Sequence, residues 1–289
     1  MNAKWMFGLA LAVAGAAAGQ DAEVLFKSDV RLVEVYATVM DQRGRYLDGL
    51  GRERFEVREN GVAQPLTIFE TEAAGLSCAF LMDTTGSMAH ALAAVKNAAA
   101  ALIDDLRDMD SVAIYSFSDS LQKLQEFTTD KAAAKRAMMR TRPAGETALF
   151  DSLSQLARDL GRRTGKKAIV AFTDGADNLS GLNSAAAIAR ARKSGVPIYV
   201  AALGDALKDA LLLRELKEIA QNTGGQVYRV EKPADIQAVF QDISRDLKHT
   251  YLLGYRPPPA EGRSWRTIQV SVSGLKGVKI RAREGYLPD

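Results

Sequence analysis

The chain reads as an α/β protein: a doubly wound, mostly parallel six-stranded sheet with helices on both faces, plus a small β-sandwich built from its N- and C-terminal flanks. Three observations predict this. In the middle of the chain, short apolar runs alternate with amphipathic helical stretches, the pattern of parallel strands buried on both faces. Toward both ends the hydrophobic period changes to two, the mark of strands with one wet face. Each flank holds too few strands to bury a sheet face alone, so the economical solution combines them around an inserted α/β domain.

Met1 to Gly19 has the layout of a secretory signal. Lys4 gives the charged start, Phe7 to Ala14 the apolar core, and Ala16-Ala17-Ala18-Gly19 the small residues of a cleavage region. The segment is short for a membrane span, and no cysteine follows it for a lipid anchor. A secreted or periplasmic protein is expected, with no membrane insertion after signal removal.

Residues 20–72 form the first flank. Val33, Val35, Ala37 and Val39 alternate with Glu34, Tyr36 and Thr38 as a half-buried strand, and Asp41-Gln-Arg-Gly44 turns the chain. Phe55 and Val57 begin a second strand, Asn60-Gly61 is a hairpin signal, and Leu66 to Phe69 is the expected return.

Residues 73–249 carry the α/β alternation. The predicted strands are Leu76 to Met82, Ser111 to Phe117, Leu121 to Phe127, Ala168 to Thr173, Val196 to Leu203 and Gln226 to Val230. The second and third are joined by a tight turn and should be antiparallel. Met88, Leu92, Val95, Ala99, Leu102 and Leu106 recur at helical spacing, as do Leu149, Leu153, Leu156 and Leu160. Ser184 to Lys193 is a helix closed by Gly195. Leu212, Leu216 and Ile219 mark another, stopped at Asn222 to Gly225. Pro233 opens the last, whose apolar face is Ile236, Val239, Phe240, Ile243 and Leu247. In residues 250–289, Thr250 to Tyr255, Thr267 to Val272 and Val278 to Arg283 return to strand patterning and should pair with the first flank.

The 289 residues have an ordinary apolar fraction of 47%, enough for a real core, and a net charge of +3. Basic residues cluster at Lys131, Lys135, Arg136, Arg140 and Arg142, and again at Arg162, Arg163, Lys166 and Lys167. Acids abound elsewhere, so these clusters read as solvated helix faces rather than a nucleic-acid surface. Cys78, the only cysteine, falls in an apolar strand and reads as a small buried hydrophobe. The two histidines, His90 and His249, belong to no motif. No nucleophile–base arrangement supports hydrolysis, and a non-enzyme is expected.

The informative chemistry is at strand ends. Phe80-Leu-Met-Asp83-Thr-Thr85-Gly-Ser87-Met88 ends an apolar strand in an acid followed by alternating hydroxyls. Lys167-Ala-Ile-Val-Ala-Phe-Thr-Asp174-Gly175 does the same with an acid and a glycine. Between them, Gly145-Glu-Thr147 leads into an amphipathic helix with a hydroxyl at the junction. Ligand sites of open α/β sheets lie at the carboxyl ends of the strands. Carboxylate and hydroxyl are hard oxygen donors, suited to a small divalent cation. Taken singly, Ser87 or Thr147 reads as a helix N-cap.

Together these three loops resemble the von Willebrand factor type A domain with its metal-ion-dependent adhesion site. The resemblance implies ligation of Mg²⁺ or Mn²⁺, with Ca²⁺ the weaker candidate, by Asp83, Thr85, Ser87, Thr147 and Asp174. Thr85 stands where the family more often has Ser, and it keeps the hydroxyl. The implied partner is a protein presenting a Glu or Asp carboxylate to the ion. Asp177 and Asn178 have two readings, contacts behind the metal ligands or loop residues that satisfy their own backbone, and the second is favoured. In type A domains that switch, the last helix moves with the metal loops; here that helix, residues 234–248, runs almost directly into the strand from Thr250.

The flanks extend the resemblance. Thr38-Val-Met-Asp41, Gly44, Leu47-Asp-Gly-Leu50, Phe55-Glu-Val57, Glu59-Asn-Gly61, Gln64, Tyr251-Leu-Leu-Gly-Tyr255 and Arg283-Glu-Gly-Tyr286 are similar to secreted bacterial type A-related proteins, many of them acidobacterial. Two other roles fit the same residues: a structural scaffold of the cell envelope whose metal is not essential, and an accessory subunit of an enzyme complex. The latter is disfavoured because the chain has no Gly-x-x-x-x-Gly-Lys loop.

Overall fold

The computed structural model describes residues 32–288 apart from 72, 176, 260, 261 and 263; the signal segment expected at 1–19 lies outside the described residues. The first flank supplies β1 (Val33–Met40), β2 (Phe55–Glu59), β3 (Val62–Gln64) and β4 (Leu66–Glu70). The α/β stretch begins with β5 (Leu76–Asp83), α1 (Leu92–Asp105), β6 (Ser111–Phe117), β7 (Leu121–Thr128), α2 (Lys131–Met139) and α3 (Leu149–Leu160). It continues through β8 (Lys166–Thr173), α4 (Ser184–Ser194), β9 (Ile198–Ala202), α5 (Ala210–Thr223), β10 (Val227–Arg229) and α6 (Ile236–Lys248). The tail adds β11 (Thr250–Tyr255), β12 (Arg266–Val272), β13 (Lys279–Arg281) and β14 (Gly285–Tyr286).

The six-stranded sheet has the order β10-β9-β8-β5-β6-β7. All neighbours are parallel except β6 and β7, which pair antiparallel as their tight connection requires. From β5 the chain steps first to one side, through β6 and β7, and then to the other, through β8, β9 and β10. That reversal puts a topological switch point between the carboxyl ends of β5 and β8, where an open parallel sheet leaves a crevice. One face of the sheet packs on α1, α2 and α6, with Phe172 stacked between Phe80 and Phe240 at 6.0 and 4.7 Å. The other face packs on α3, α4 and α5 through Leu149, Leu153, Leu156, Leu212, Leu216 and Ile219.

The flanks build two antiparallel sheets, ordered β13-β1-β11-β4 and β14-β12-β2-β3. Each sheet mixes strands from both ends of the chain, with Val33 opposite Tyr255 in one and Val57 opposite Val270 in the other. Their inner faces share one core, made by the alternating Val33, Val35, Ala37 and Val39 and by Phe55, Val57, Tyr251, Leu253 and Ile268. The Phe55 and Tyr251 rings meet across it at 4.8 Å. A buried acid, Glu59, is fully engaged there: it pairs with Arg266 at 2.5 Å and accepts from Tyr255 and Tyr286 at 2.6 and 2.9 Å.

Three sequence expectations need correction. The hairpin at Asn60-Gly61 (φ 49° and 79°) returns through β3, not through Leu66 to Phe69. Pro65 has no N–H for the ladder, and beyond it β4 joins the other sheet on β11. The helix expected from Met88 begins with a 3₁₀ turn, Gly86–His90, and α1 proper starts at Leu92. Lys166 and Lys167 are not on a solvated helix face. They open β8 and are buried, Lys167 pairing with Glu34 of β1 at 2.5 Å. Burial of a lysine stem is tolerable when its ammonium finds such a partner.

Candidate metal centre

Asp83 is the last residue of β5 and Asp174 follows the last residue of β8, so the switch point brings them together. Asp83 is fully buried and Asp174 nearly so. The loop after β5 turns Thr85 back: its N–H and hydroxyl donate to Asp83 Oδ1 at 3.0 and 2.7 Å. Thr85 Oγ1 lies 2.9 Å from Ser87 Oγ, and Ser87 Oγ lies 2.8 Å from Asp174 Oδ1. Four of the five sequence-predicted residues thus form a continuous chain of oxygens. Neither serine nor threonine serves as a helix cap here: the 3₁₀ turn and α1 both lack side-chain caps.

Thr147, the fifth, is held at the same rim. Its N–H donates to Asn178 Oδ1 at 2.8 Å, and its carbonyl accepts from the N–H groups of Asn178 and Leu179. Its residue is buried, yet the hydroxyl has no hydrogen-bond partner among the described residues, and α3 is not capped by it. The preceding Gly145 (φ 83°) lets the loop pass Asp119, which accepts from Glu146 N–H at 2.6 Å; a side chain there would strike the Asp119 carboxylate.

Proton bookkeeping defines the electrostatic character of the cluster. Three short oxygen contacts, Asp83–Thr85, Thr85–Ser87 and Ser87–Asp174, share two hydroxyl protons, since each hydroxyl has one. One contact therefore lacks a proton while both carboxyls are ionised. Burial pushes the Asp83 carboxyl above its usual range, against the hydrogen bonds from Thr85 and Thr173, and the nearby Asp174 charge adds to the rise. Asp174 is raised chiefly by burial as well, against the Ser87 hydrogen bond. No Lys or Arg pairs with either acid among the described residues. Such a cluster is short of positive charge, and a small hard cation fits its donor chemistry. No group of three His, Cys, Asp or Glu suited to a metal occurs among the described residues, so the fit rests on hydroxyl donors beside the two acids.

Of four supporting residues, the sequence singles out neither Thr173 nor Ser180, and Asp177 and Asn178 read there chiefly as loop residues. Thr173 Oγ1 donates to Asp83 Oδ2 at 2.7 Å, fixing the second oxygen of that carboxylate. Asp177 and Asn178 do not merely satisfy their own backbone: Asp177 accepts from Phe150 N–H at 2.7 Å and Asn178 from Thr147 N–H. Ser180 Oγ accepts from Asp151 N–H at 2.9 Å. The loop after β8 thus supplies the missing cap of α3 and sets the Thr147 loop. The sequence signal was present in the run of Asp, Asn and Ser, but its target, a helix start some 27 residues away, was not. Gly204 (φ 50°) lies against Asp174, where an added Cβ would stand 3.3 Å from the Asp174 Cβ. Gly204→Ala is expected to lower stability by about 1–2 kcal/mol from the left-handed backbone alone and to weaken metal binding measurably, read by thermal melts with and without Mg²⁺.

The chain is similar to known proteins in family and fold. The von Willebrand factor type A domain family matches residues 78–242. The fold is shared with a von Willebrand factor type A protein of Catenulispora acidiphila, at 15% identity over 90% of this chain and 74% of that one, TM-score 0.53. It is shared with proximal thread matrix protein 1 of the mussel byssus, solved with a zinc-occupied MIDAS motif, at 21% identity over 67% of this chain and 50% of that one, TM-score 0.54. The same holds for the von Willebrand factor domain of the type V pili tip protein Mfa5 of Porphyromonas gingivalis, at 14% identity over 61% of this chain and 95% of that one, TM-score 0.51. No match was found among curated proteins. Among the described residues no helix is long and apolar enough to cross a membrane. With more than half of its length inside the match, the chain belongs to the von Willebrand factor type A domain family.

Proposed function

We propose that the chain is a secreted or periplasmic protein-binding module that holds a divalent cation, Mg²⁺ or Mn²⁺, and presents it to a carboxylate of a partner protein. Residues 73–249 would be the binding domain, and 20–72 with 250–289 the β-domain that carries it. Asp83, Thr85, Ser87, Thr147 and Asp174 would hold the ion, directly or through water. When bound, the ion supplies a coordination position open to an incoming acidic side chain. The chain's own residues do the rest. Thr173 keeps Asp83 oriented, and Asn178 holds the Thr147 loop. With only two carboxylates in the donor set, the ion would keep most of its charge for the incoming acid.

The observation that carries this reading is the shortage of protons and cations among the linked oxygens of Asp83, Thr85, Ser87 and Asp174, of which only Ser87 is an exposed residue. Family membership supports it, as does the zinc-occupied site of the mussel relative and the pilus-tip placement of Mfa5. Calorimetric titration tests it. The mature protein should bind Mg²⁺ and Mn²⁺ saturably at one site, and Asp83→Ala should lose at least about 100-fold in affinity, some 2.7 kcal/mol. Equal binding by the variant would remove these residues as the site.

A further inference from the structure

Beside the candidate metal loops lies a cavity of about 310 Å³ whose lining includes Thr84, Ser116, Ser118, Gln122, Arg140 and Arg142 and no carboxylate. Two of its wall residues, Thr84 and Ala144, belong to the loops beside the candidate site. Thr84 sits between Asp83 and Thr85 and accepts from Ala144 N–H at 2.7 Å, while Ser118 O accepts from Ala148 N–H, next to Thr147.

The cavity is positively charged for a reason visible in the basic cluster of α2. Three of its five members have acidic partners: Lys131 with Asp108, Lys135 with Asp104 and Arg136 with Asp130. The other two do not. Arg142 reaches only the carbonyls of Met139 and Thr141, at 3.4 and 3.0 Å. The Arg140 guanidinium has no partner among the described residues. Both line the cavity. Behind them Lys96, itself buried, donates to the same two carbonyls at 3.3 and 2.6 Å. Burial, with help from the Arg142 charge, holds Lys96 below the usual lysine range. Asp119, next to the lining Ser118, is turned to the Gly145 loop, where it accepts from Glu146 N–H. Ser116, 6% exposed, also lines the cavity. Two guanidinium forks without an acidic partner are shaped for carboxylate oxygens.

We propose that this cavity is a second acidic subsite, which receives a further carboxylate of the same partner segment whose first carboxylate meets the ion. The proposal rests on the metal-dependent reading above. It narrows the partner from any protein with an exposed acid to one presenting two acids on a short stretch of chain.

The test uses blocked pentapeptides titrated into the ¹⁵N-labelled mature protein in Mg²⁺. One carries a single Asp among glycines; three carry a second Asp one, two or three residues on. At least one two-acid peptide should bind about ten-fold more tightly than the one-acid peptide. It should also move amides of residues 116–122 and 140–144 that the one-acid peptide leaves in place. Arg140→Gln/Arg142→Gln should reduce the two-acid peptide to the affinity of the one-acid peptide while leaving the latter unchanged. Equal binding of all peptides by the wild type overturns the subsite, as does an advantage that survives in the double variant. Failure of the metal reading shows differently: the one-acid peptide then binds no better in Mg²⁺ than in EDTA. In that event, two-acid peptides that shift 140–144 in EDTA still sustain the subsite, and unshifted resonances reject it.

Discussion

Replacing Asp246 by alanine should lower the unfolding free energy by roughly 3–5 kcal/mol, the cost of leaving a buried cation without its anion. Asp246 is fully buried in the last turn of α6. Its Oδ1 accepts from Tyr46 at 2.9 Å, and its Oδ2 accepts from Tyr228 at 2.5 Å and from Arg281 Nη2 at 2.6 Å. Arg281 continues to Thr38 Oγ1 at 3.1 Å and to Gln226. One carboxylate thus ties the last helix and β10 of the α/β domain to β1, its following loop and β13 of the sandwich. Burial and the Asp246 charge both hold the Tyr46 and Tyr228 hydroxyls protonated well beyond neutral pH, so they remain donors. For a protein of this size the loss corresponds to about 6–20 °C in Tm. Asp246→Asn keeps acceptor capacity and loses the charge, so it should fall between the alanine variant and Tyr46→Phe, for which about 1 kcal/mol is expected. Melts of the three variants read the order directly. If Asp246→Ala melts with the wild type, the tie contributes nothing.

The same tie bears on conformational coupling. One residue, His249, separates α6 from β11; it stacks on Tyr46 at 4.6 Å and lies 2.7 Å from Asp48. Any displacement of the last helix would have to break or drag these contacts, so the helix and the sandwich are mechanically one element.

What was legible beforehand follows from range. Strands β5, β8 and β9 carry unbroken apolar runs at 78–82, 168–172 and 198–202 because both faces are covered, and such a run is visible in a window of eight residues. The ends of helices at Gly195 and Gly224 were legible because a left-handed residue is needed there and glycine supplies it. The five candidate donors were legible through the family resemblance, since Ser87 or Thr147 alone reads as a helix cap, and the structure joins four of them in one chain of oxygens. Residues that act across the fold were not. Thr173 looks like any strand residue until β5 lies beside β8, and Asp177 looks like a loop residue until α3 starts above it. Helix α2 was recognised only as a charge cluster, because its nine residues are mostly alanine and lysine with a single larger buried side chain, Met138. The switch from the β3 hairpin to β4 depended on one proline whose consequence appears only when both sheets are assembled.

Metal-free protein should gain stability when Asp83 is neutralised, and metal-loaded protein should lose it. Burial raises the folded-state carboxyls of Asp83 and Asp174 above their unfolded values, near 3.9. A group raised in this way contributes its stability fully below the unfolded value and loses it as pH rises through the folded one. Without an ion, then, the pair weakens the fold at neutral pH relative to mildly acidic pH, and Asp83→Asn should melt at or above the wild type in EDTA. With an ion the order reverses. At 100 times the dissociation constant, binding adds about 2.7 kcal/mol, roughly 5–10 °C for a chain of this length, and Asp83→Asn forfeits all of it. Protons compete for the same oxygens, so the Mg²⁺-induced rise in Tm should shrink as pH falls toward the raised carboxyl range and hold steady above it. A rise that is independent of pH, or that survives in Asp83→Asn, would put the ion elsewhere on the protein. The crossing of the two melting orders is the sharper criterion, because a variant that merely damages the fold is less stable under both conditions. Only a carboxylate held ready for a cation is a burden in EDTA and an asset in Mg²⁺.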